Sequence, residues 1–160
     1  MTVYVALLRG VNVGGRGKVD MRELKKQVEA LGCSDVSTYI NSGNVIFRDR
    51  RAPSTLTREL EKVLGRRVAV RSLAQVQALC KRIPEDWGND KEQKTDVGFA
   101  LDEPDELLWH ALRKDLKPRE LLWHALRKDL KPREGPEWDV EVTARNVNTV
   151  RTLRAKMEAL

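Results

Sequence analysis

The stretch VSTYINSGNVIFR, residues 36–48, decides the fold of this chain. Two short runs of β-forming residues, 36–40 and 44–48, flank the tripeptide Asn41-Ser42-Gly43. Because Asn and Gly tolerate positive φ, the tripeptide predicts the turn of a β-hairpin. The hairpin is central because a helix pattern lies on each side of it.

The flanking segments extend the hairpin in both directions. An apolar run at 3–8 predicts a first strand, and Asp20 with Glu23 forms a capping box that begins a helix. Pro53 begins a second helix pattern, and RVAVR at 67–71 alternates like a half-buried strand. The order of elements is therefore β-α-β-β-α-β.

This order predicts an α+β protein with a ferredoxin-like lobe over residues 1–72. Right-handed crossovers make the first two strands parallel and bring the third strand beside the first. The end of the first strand and the hairpin turn then lie at the same end of the sheet. We therefore expect loop 9–18 and turn 41–44 to be neighbours.

Residues 73–160 predict a smaller α+β lobe. Ser72 and Gln75 form a capping box at the start of a helix, and 96–101 has the composition of a strand. A final helix, with Thr143 or Asn146 as its cap, carries four apolar residues on one face: Val147, Val150, Leu153 and Met157.

A tandem duplication interrupts this second lobe. ELLWHALRKDLKPR occupies 106–119 and returns unchanged at 120–133, which fits a recent in-frame duplication better than a solenoid. The Leu/Trp spacing predicts two short amphipathic helices with a break near Lys117. Their apolar surface would pack on the domain or favour self-association. His110 and His124 are copies of each other and are expected on the helix surface.

The bulk composition indicates a globular cytoplasmic protein. Hydrophobic residues make up 41% and charged residues 34% of the 160, and the net charge is +6. Cys33 and Cys80 have no metal-ligand spacing and are expected to be reduced core thiols, so neither a metal nor a cofactor is predicted. No run approaches a membrane span, and the first apolar run lacks the basic region of a signal peptide.

Loop 9–18, RGVNVGGRGK, is the stretch of sequence that most resembles a binding site. Its glycines allow successive backbone N–H groups to point inward, and a helix N-terminus follows. Arg16-Gly17 stands where a Walker A loop needs Lys-Ser/Thr, so this is not a P-loop. The alternative is a flexible loop whose glycines serve turns. The candidate anion-binding residues here are Arg9, Gly10, Asn12, Gly14, Gly15 and Lys18.

The hairpin turn and one later segment complete the candidate site. Turn residues Asn41, Ser42, Gly43 and Asn44 would orient a ligand, and Arg145 with Asn146 would add a third, weaker contribution. Together they predict a binding module for a phosphate-bearing small molecule or nucleotide.

Three alternatives remain open at this stage. An enzyme acting on a phosphorylated substrate would need a titratable group, and the one nearby acid, Asp20, already caps a helix; no catalytic residue is assigned. A non-specific RNA binder has weak support, because Tyr4 and Phe47 are the only aromatic candidates on the strands that RNA-recognition modules use. In a purely structural reading, the helices of 106–133 form an oligomer interface.

Three blocks resemble one uncharacterised bacterial family, the domain of unknown function 1697 (DUF1697). They are LLRGVNVGGRGKVDMREL at 7–24, TYINSGNVIF at 38–47 and TARNVNTVRTL at 143–153. The resemblance implies a ferredoxin-like first lobe and an α+β remainder, without an activity. Val147 replaces the family's Trp, and the duplication stands where the family has a C-terminal strand region. Both departures fall in the second lobe.

Overall fold

A computed structural model describes residues 1–12, 17–101, 120–126 and 141–160. These residues form seven strands and four helices in an α+β arrangement. In chain order they are β1 Thr2–Leu8, α1 Met21–Ala30, β2 Ser34–Tyr39, β3 Asn44–Asp49, α2 Pro53–Leu64, β4 Val68–Ser72, α3 Leu73–Arg82, β5 Gln93–Ala100, β6 Glu120–Leu126, β7 Val142–Asn146 and α4 Val147–Glu158.

The first four strands form one antiparallel sheet in the order β2-β3-β1-β4. Tyr4 of β1 lies opposite Phe47 of β3 and opposite Ser72 of β4. Since β2 and β1 both run antiparallel to β3, they are parallel to each other. The predicted β-α-β-β-α-β order is confirmed, as is the position of the third strand beside the first.

The main core lies between this sheet and helices α1 and α2. Alternate strand residues supply one side, among them Tyr4 and Phe47, whose ring centroids are 5.9 Å apart. The helices supply the other side at a spacing of four residues: Leu24, Val28, Leu56 and Leu60. Val5 and Leu7, on the opposite face of β1, are also buried, which explains the unbroken apolar run of that strand.

Both helices begin and end at the predicted signals. The Asp20 carboxylate accepts a hydrogen bond from the backbone N–H of Arg22 at 2.8 Å, so Asp20 is the N-cap of α1. Pro53 is the first residue of α2, where its missing N–H costs nothing. Gly32 follows α1 at φ 92°, and Gly65 ends α2 at φ 65°.

The predicted capping box of α3 is present with both of its hydrogen bonds. Ser72 donates its backbone N–H to the Gln75 side chain at 2.8 Å, and Gln75 donates its own N–H to the Ser72 hydroxyl at 3.3 Å. This reciprocal pair satisfies two donors that the first turn of a helix leaves free.

A second sheet has the order β6-β5-β7, and it corrects the prediction for the duplicated segment. Residues 120–126 are not helical: they form β6, with Glu120 opposite Phe99 and Leu126 opposite Gln93. The spacing of their apolar residues fits a helix and a strand equally well. Pairing with β5 adds a ladder of backbone hydrogen bonds, which favours the strand. The first copy, the break near Lys117 and residues 127–133 lie outside the described residues.

The second correction concerns the start of the last helix. Of the two caps that the sequence offers, Thr143 is excluded, because it lies inside β7, opposite Phe99 and 3% exposed. Asn146 is the cap: its side-chain oxygen accepts from the backbone N–H of Thr149 at 3.0 Å. A strand therefore precedes this helix where the sequence analysis predicted none.

The described chain falls into two compact units. One comprises Met1–Gln77 with Leu153–Leu160, and the other comprises Ala78–Thr152. The sequence analysis instead divides the chain at residue 72. Within the first unit, the Arg48 guanidinium donates to the backbone oxygen of Leu160.

The predicted apolar face of α4 is confirmed. Its four members are buried: Val147, Val150, Leu153 and Met157. No helix in the described part of the chain is long and apolar enough to cross a membrane.

Candidate functional site

The glycine-rich loop and the hairpin turn meet at one end of the four-strand sheet, as the topology predicts. Asn12 donates its side-chain N–H to the backbone oxygen of Asn41 at 2.5 Å. Leu8 donates its backbone N–H to the oxygen of Gly43 at 2.9 Å. The predicted convergence is therefore confirmed for the described parts of the loop, although Gly14 and Gly15 lie outside them.

Asn12 joins the loop to the turn instead of facing outward with a free amide. Its backbone N–H donates to the oxygen of Gly17 at 3.0 Å, and its side-chain oxygen accepts from the N–H of Val19 at 3.2 Å. Its φ of 53° is left-handed, a conformation that Asn tolerates better than most residues. These bonds give Asn12 a positioning role between loop and turn, and its predicted ligand role stays a prediction.

Gly43 makes the close approach of turn and loop feasible. Its φ is 78°, and a Cβ built there would lie 2.9 Å from Leu8 Cβ and 3.0 Å from Val11 Cγ2. Only glycine satisfies both the backbone angle and the available space.

Two other residues shape the turn, and the predicted ligand role of Asn44 stays a prediction. Asn44 is fully buried and donates its amide to the backbone oxygen of Tyr39 at 3.1 Å, so it braces the hairpin from inside. The first positive φ of the turn belongs to Ile40, at 50°, and this β-branched side chain is 47% exposed. Asn41 is exposed, and Ser42 is half-buried.

A cavity of about 280 Å³ adjoins the loop. Lys18 and Arg66 supply its basic groups, while Asp20 and Glu23 supply its acidic ones. The rest of its wall is apolar or neutral: Leu8, Val19, Leu24, Gln27 and Leu64. Formal charges of both signs thus face one small space.

Arg66 is a site residue that the sequence analysis missed. Its guanidinium donates to the backbone oxygen of Gly10 at 3.1 Å, which ties the residue after Gly65 to the loop. Arg9, which is exposed, donates its backbone N–H to the oxygen of Arg67 at 3.0 Å. The sequence signal that could have identified Arg66 is the basic pair Arg66-Arg67 directly after the end of α2. The strand order places this pair beside β1.

Arg145 and Asn146 belong to the second unit and already have local partners there. Arg145 is 8% exposed, and its guanidinium donates to the Thr143 hydroxyl at 2.7 Å and to the oxygen of Ala144 at 2.9 Å. Burial lowers the pKa of Arg145 to about 10, because desolvation penalises its charged form. Asn146 caps α4, so a ligand role for this pair stays a prediction.

A polar cluster that the sequence analysis did not identify lies where β3 ends, away from the turn. The Arg51 guanidinium donates to both carboxylate oxygens of Asp49, at 2.8 and 2.6 Å, and to Glu59 at 2.5 Å. It also donates to the backbone oxygen of Leu31, at the end of α1. The cluster therefore links both helices to the end of β3.

Burial and hydrogen bonding within this cluster shift the pKa values of two buried groups, Asp49 and Cys33. Hydrogen bonding from Arg51 holds the pKa of the Asp49 carboxyl well below its usual range. Burial, together with a hydrogen bond to Asp49, raises the pKa of the Cys33 thiol to about 12. Cys33 and Cys80 are both buried and neither forms a disulfide, which confirms the prediction of core thiols. The described residues contain no group of three His, Cys, Asp or Glu that could hold a metal.

The family model for the protein of unknown function DUF1697 matches residues 1–127. The chain belongs to this family. The match confirms the resemblance seen in the sequence blocks, and it ends inside the second copy of the duplication. The description of DUF1697 names no activity, so a function for this chain has to be inferred from the geometry of the site.

One solved structure resembles this DUF1697 chain along nearly its whole length. It is that of the conserved bacterial protein SP0830 from Streptococcus pneumoniae, with a TM-score of 0.74 and 24% identity over 98% of each chain. At this identity the likeness concerns the fold alone. None of the curated proteins matches the sequence.

Proposed function

We propose that the end of the four-strand sheet where the loop meets the turn binds a small molecule that carries both a phosphate and hydroxyl or amino groups. The Asn12–Asn41 hydrogen bond carries the proposal, because it joins the hairpin turn to a loop whose Lys18 lines a cavity. Sugar phosphates and nucleotides have the required combination of groups.

The charges of the cavity support this ligand class over a bare polyanion. Lys18 and Arg66 suit a phosphate, since charge-assisted hydrogen bonds to ammonium and guanidinium groups are short and strong. Asp20 and Glu23 would repel additional negative charge and accept hydrogen bonds from hydroxyl or amino groups. Inorganic phosphate or polyphosphate would be repelled by Asp20 and Glu23 and has no hydroxyl or amino group of a sugar or base to donate to them.

The size and wall of the cavity favour a small ligand. A volume of about 280 Å³ lies near the lower end of the range for small-molecule sites, roughly 300–1,000 Å³. Leu8, Leu24 and Leu64 give it apolar surface for a sugar ring or part of a base. A sugar phosphate fits this description better than a dinucleotide.

The backbone near the site supports a functional reading. Asn12 and Ile40 are non-glycine residues with left-handed φ, and they lie in the two segments that meet. Such conformations cost about 1–3 kcal/mol each and concentrate at functional sites. The unfavourable backbone of Ile40 has no compensating burial, because its side chain is 47% exposed.

A thermal-shift series tests the proposal. Sugar phosphates, nucleotides, inorganic phosphate, polyphosphate and short RNA are compared at low and high salt. A true ligand at about 100 times its Kd adds about 2.7 kcal/mol, or roughly 5–10 °C for a chain of this size. We expect a shift with a sugar phosphate or nucleotide that persists in salt and is lost in Lys18→Ala.

Arg50→Ala is the matched control, since it removes one exposed basic residue where β3 ends, away from the turn. It should keep the full ligand shift. Equal shifts with every polyanion, erased by salt and reduced alike in both variants, would indicate non-specific charge attraction. The absence of any shift would reject the site.

A further inference from the structure

We infer that the ligand of this cavity is a nucleoside monophosphate whose base contacts Gln27, an inference that rests on the proposed function because it concerns the same cavity. Three polar residues line the cavity in order along α1: Asp20, Glu23 and Gln27. Because they recur at intervals of three and four residues, they lie on one face of the helix.

The basic end of the cavity lies where α1 begins. The Arg66 guanidinium donates to the backbone oxygen of Gly10 at 3.1 Å, and it lies 3.3 Å from the Cβ position of Gly17, the residue before Lys18. Arg66 is therefore close to the backbone that carries Lys18. A phosphate held between these two residues would also lie near the N-terminus of α1, which favours negative charge.

The cavity extends along α1 as far as Gln27. This residue is seven positions beyond Asp20, which corresponds to roughly 10 Å along the helix axis. Glu23 and Leu24 line the wall between the two ends. A ligand that spans this distance needs a middle part with hydroxyl groups for Glu23 and an apolar face for Leu24. A ribose between a phosphate and a base meets both requirements.

The side chain of Gln27 is available to a ligand. It is half-buried, and among the residues that the structure describes none forms a hydrogen bond with its amide. A primary amide both donates and accepts hydrogen bonds, and the edge of a nucleobase presents donors and acceptors together. Leu8 and Leu64 add apolar wall for the faces of the base. A pentose phosphate without a base has no group at this position.

Calorimetric titration of the full chain with AMP, GMP, CMP, UMP and ribose 5-phosphate tests the inference. We expect at least one of the four nucleotides to bind about tenfold more tightly than ribose 5-phosphate. Gln27→Met removes the amide and keeps a good helix former, so it should weaken that nucleotide by about 3–10-fold, the value of an ordinary hydrogen bond. The affinity for ribose 5-phosphate should not change, which also shows that the variant is folded.

Gln77→Met is the matched control, because Gln77 is another half-buried helical glutamine and its amide donates to Glu158, outside the cavity wall. It should keep every affinity of the parent. The inference is overturned if ribose 5-phosphate binds as tightly as all four nucleotides, or if Gln27→Met weakens every ligand alike. The proposed function survives either result as long as Lys18→Ala abolishes binding. If none of the five compounds binds the parent chain, both are rejected.

Discussion

Asp49 is 6% exposed and lies against the guanidinium of Arg51, with Cys33 close by. A buried carboxylate with such a partner stabilises the fold only while it is ionised. Its pKa is lowered in the folded state, so below about pH 5 the unfolded chain takes up protons first, and stability falls with falling pH.

The pKa of Cys33 is shifted in the opposite direction from that of Asp49. Its pKa is raised to about 12 in the folded state from 9.0, so the thiol stays neutral there while the unfolded chain ionises. Its contribution is fully present below pH 9 and is lost as the pH rises through 12. One cluster therefore limits stability at both ends of the pH scale.

Two variants separate these limits in urea unfolding measured from pH 2 to 11. Asp49→Asn should cost about 3 kcal/mol at pH 7, because it breaks a buried pair, and the difference from the parent should shrink below pH 4. Cys33→Ala should flatten the decline above pH 9. Asp35→Asn, which neutralises an exposed acid, should stay within about 0.5 kcal/mol throughout. A constant gap between Asp49→Asn and the parent would contradict the assignment.

The hydrogen-bond partners of polar side chains were the part that the sequence predicted least well. Asn12 and Asn44 have the right chemistry for a ligand, but a side-chain amide satisfies backbone groups equally well, and local sequence cannot tell these partners apart. Arg51 left no local pattern, because its partners come from α1, α2 and the end of β3. Such contacts are determined only when the chain is folded.

At the scale of elements, Gly43 decides how closely the β2–β3 hairpin approaches the end of β1. In Gly43→Ala, the new Cβ would contact Leu8 and Val11, and the alanine backbone would also have to keep a left-handed φ. We expect a loss of about 2–4 kcal/mol in urea unfolding, from strain and overpacking together.

Gly65→Ala provides the control, because that glycine also has a left-handed φ but nothing within 4 Å of its Cβ position. It should lose about 1 kcal/mol, from strain alone. Equal losses in the two variants would mean that the hairpin relaxes away from β1 and that the close approach is not required.

Elements with strong local signals were predicted well, and those that depend on a neighbour were not. The Ser72–Gln75 box, Pro53 and Gly65 mark helix ends through their own backbone chemistry. The apolar residues of β6 fit a helix equally well, and pairing with β5 selects a strand. β7 was missed because Thr143 also fits the pattern of a helix cap.

At the scale of the molecule, the first unit includes a segment distant in sequence. Leu153–Leu160 belong to it, and Met157 is 1% exposed. Met157→Ala should therefore cost about 3 kcal/mol, the usual range for a buried methionine being roughly 2–5 kcal/mol. Leu160→Ala, at a residue 36% exposed, should cost under about 1 kcal/mol. Equal costs in chemical denaturation would show that the segment is not packed into the unit.

The same division has a consequence for biosynthesis. A ribosome completes Met1–Gln77 and must then add residues 78–152 before it makes the segment that finishes the first unit. At about 5–20 residues per second, that interval lasts roughly 4–15 s. During this time the first unit lacks the segment that completes it, and this is the state in which a chaperone would have most reason to engage the chain.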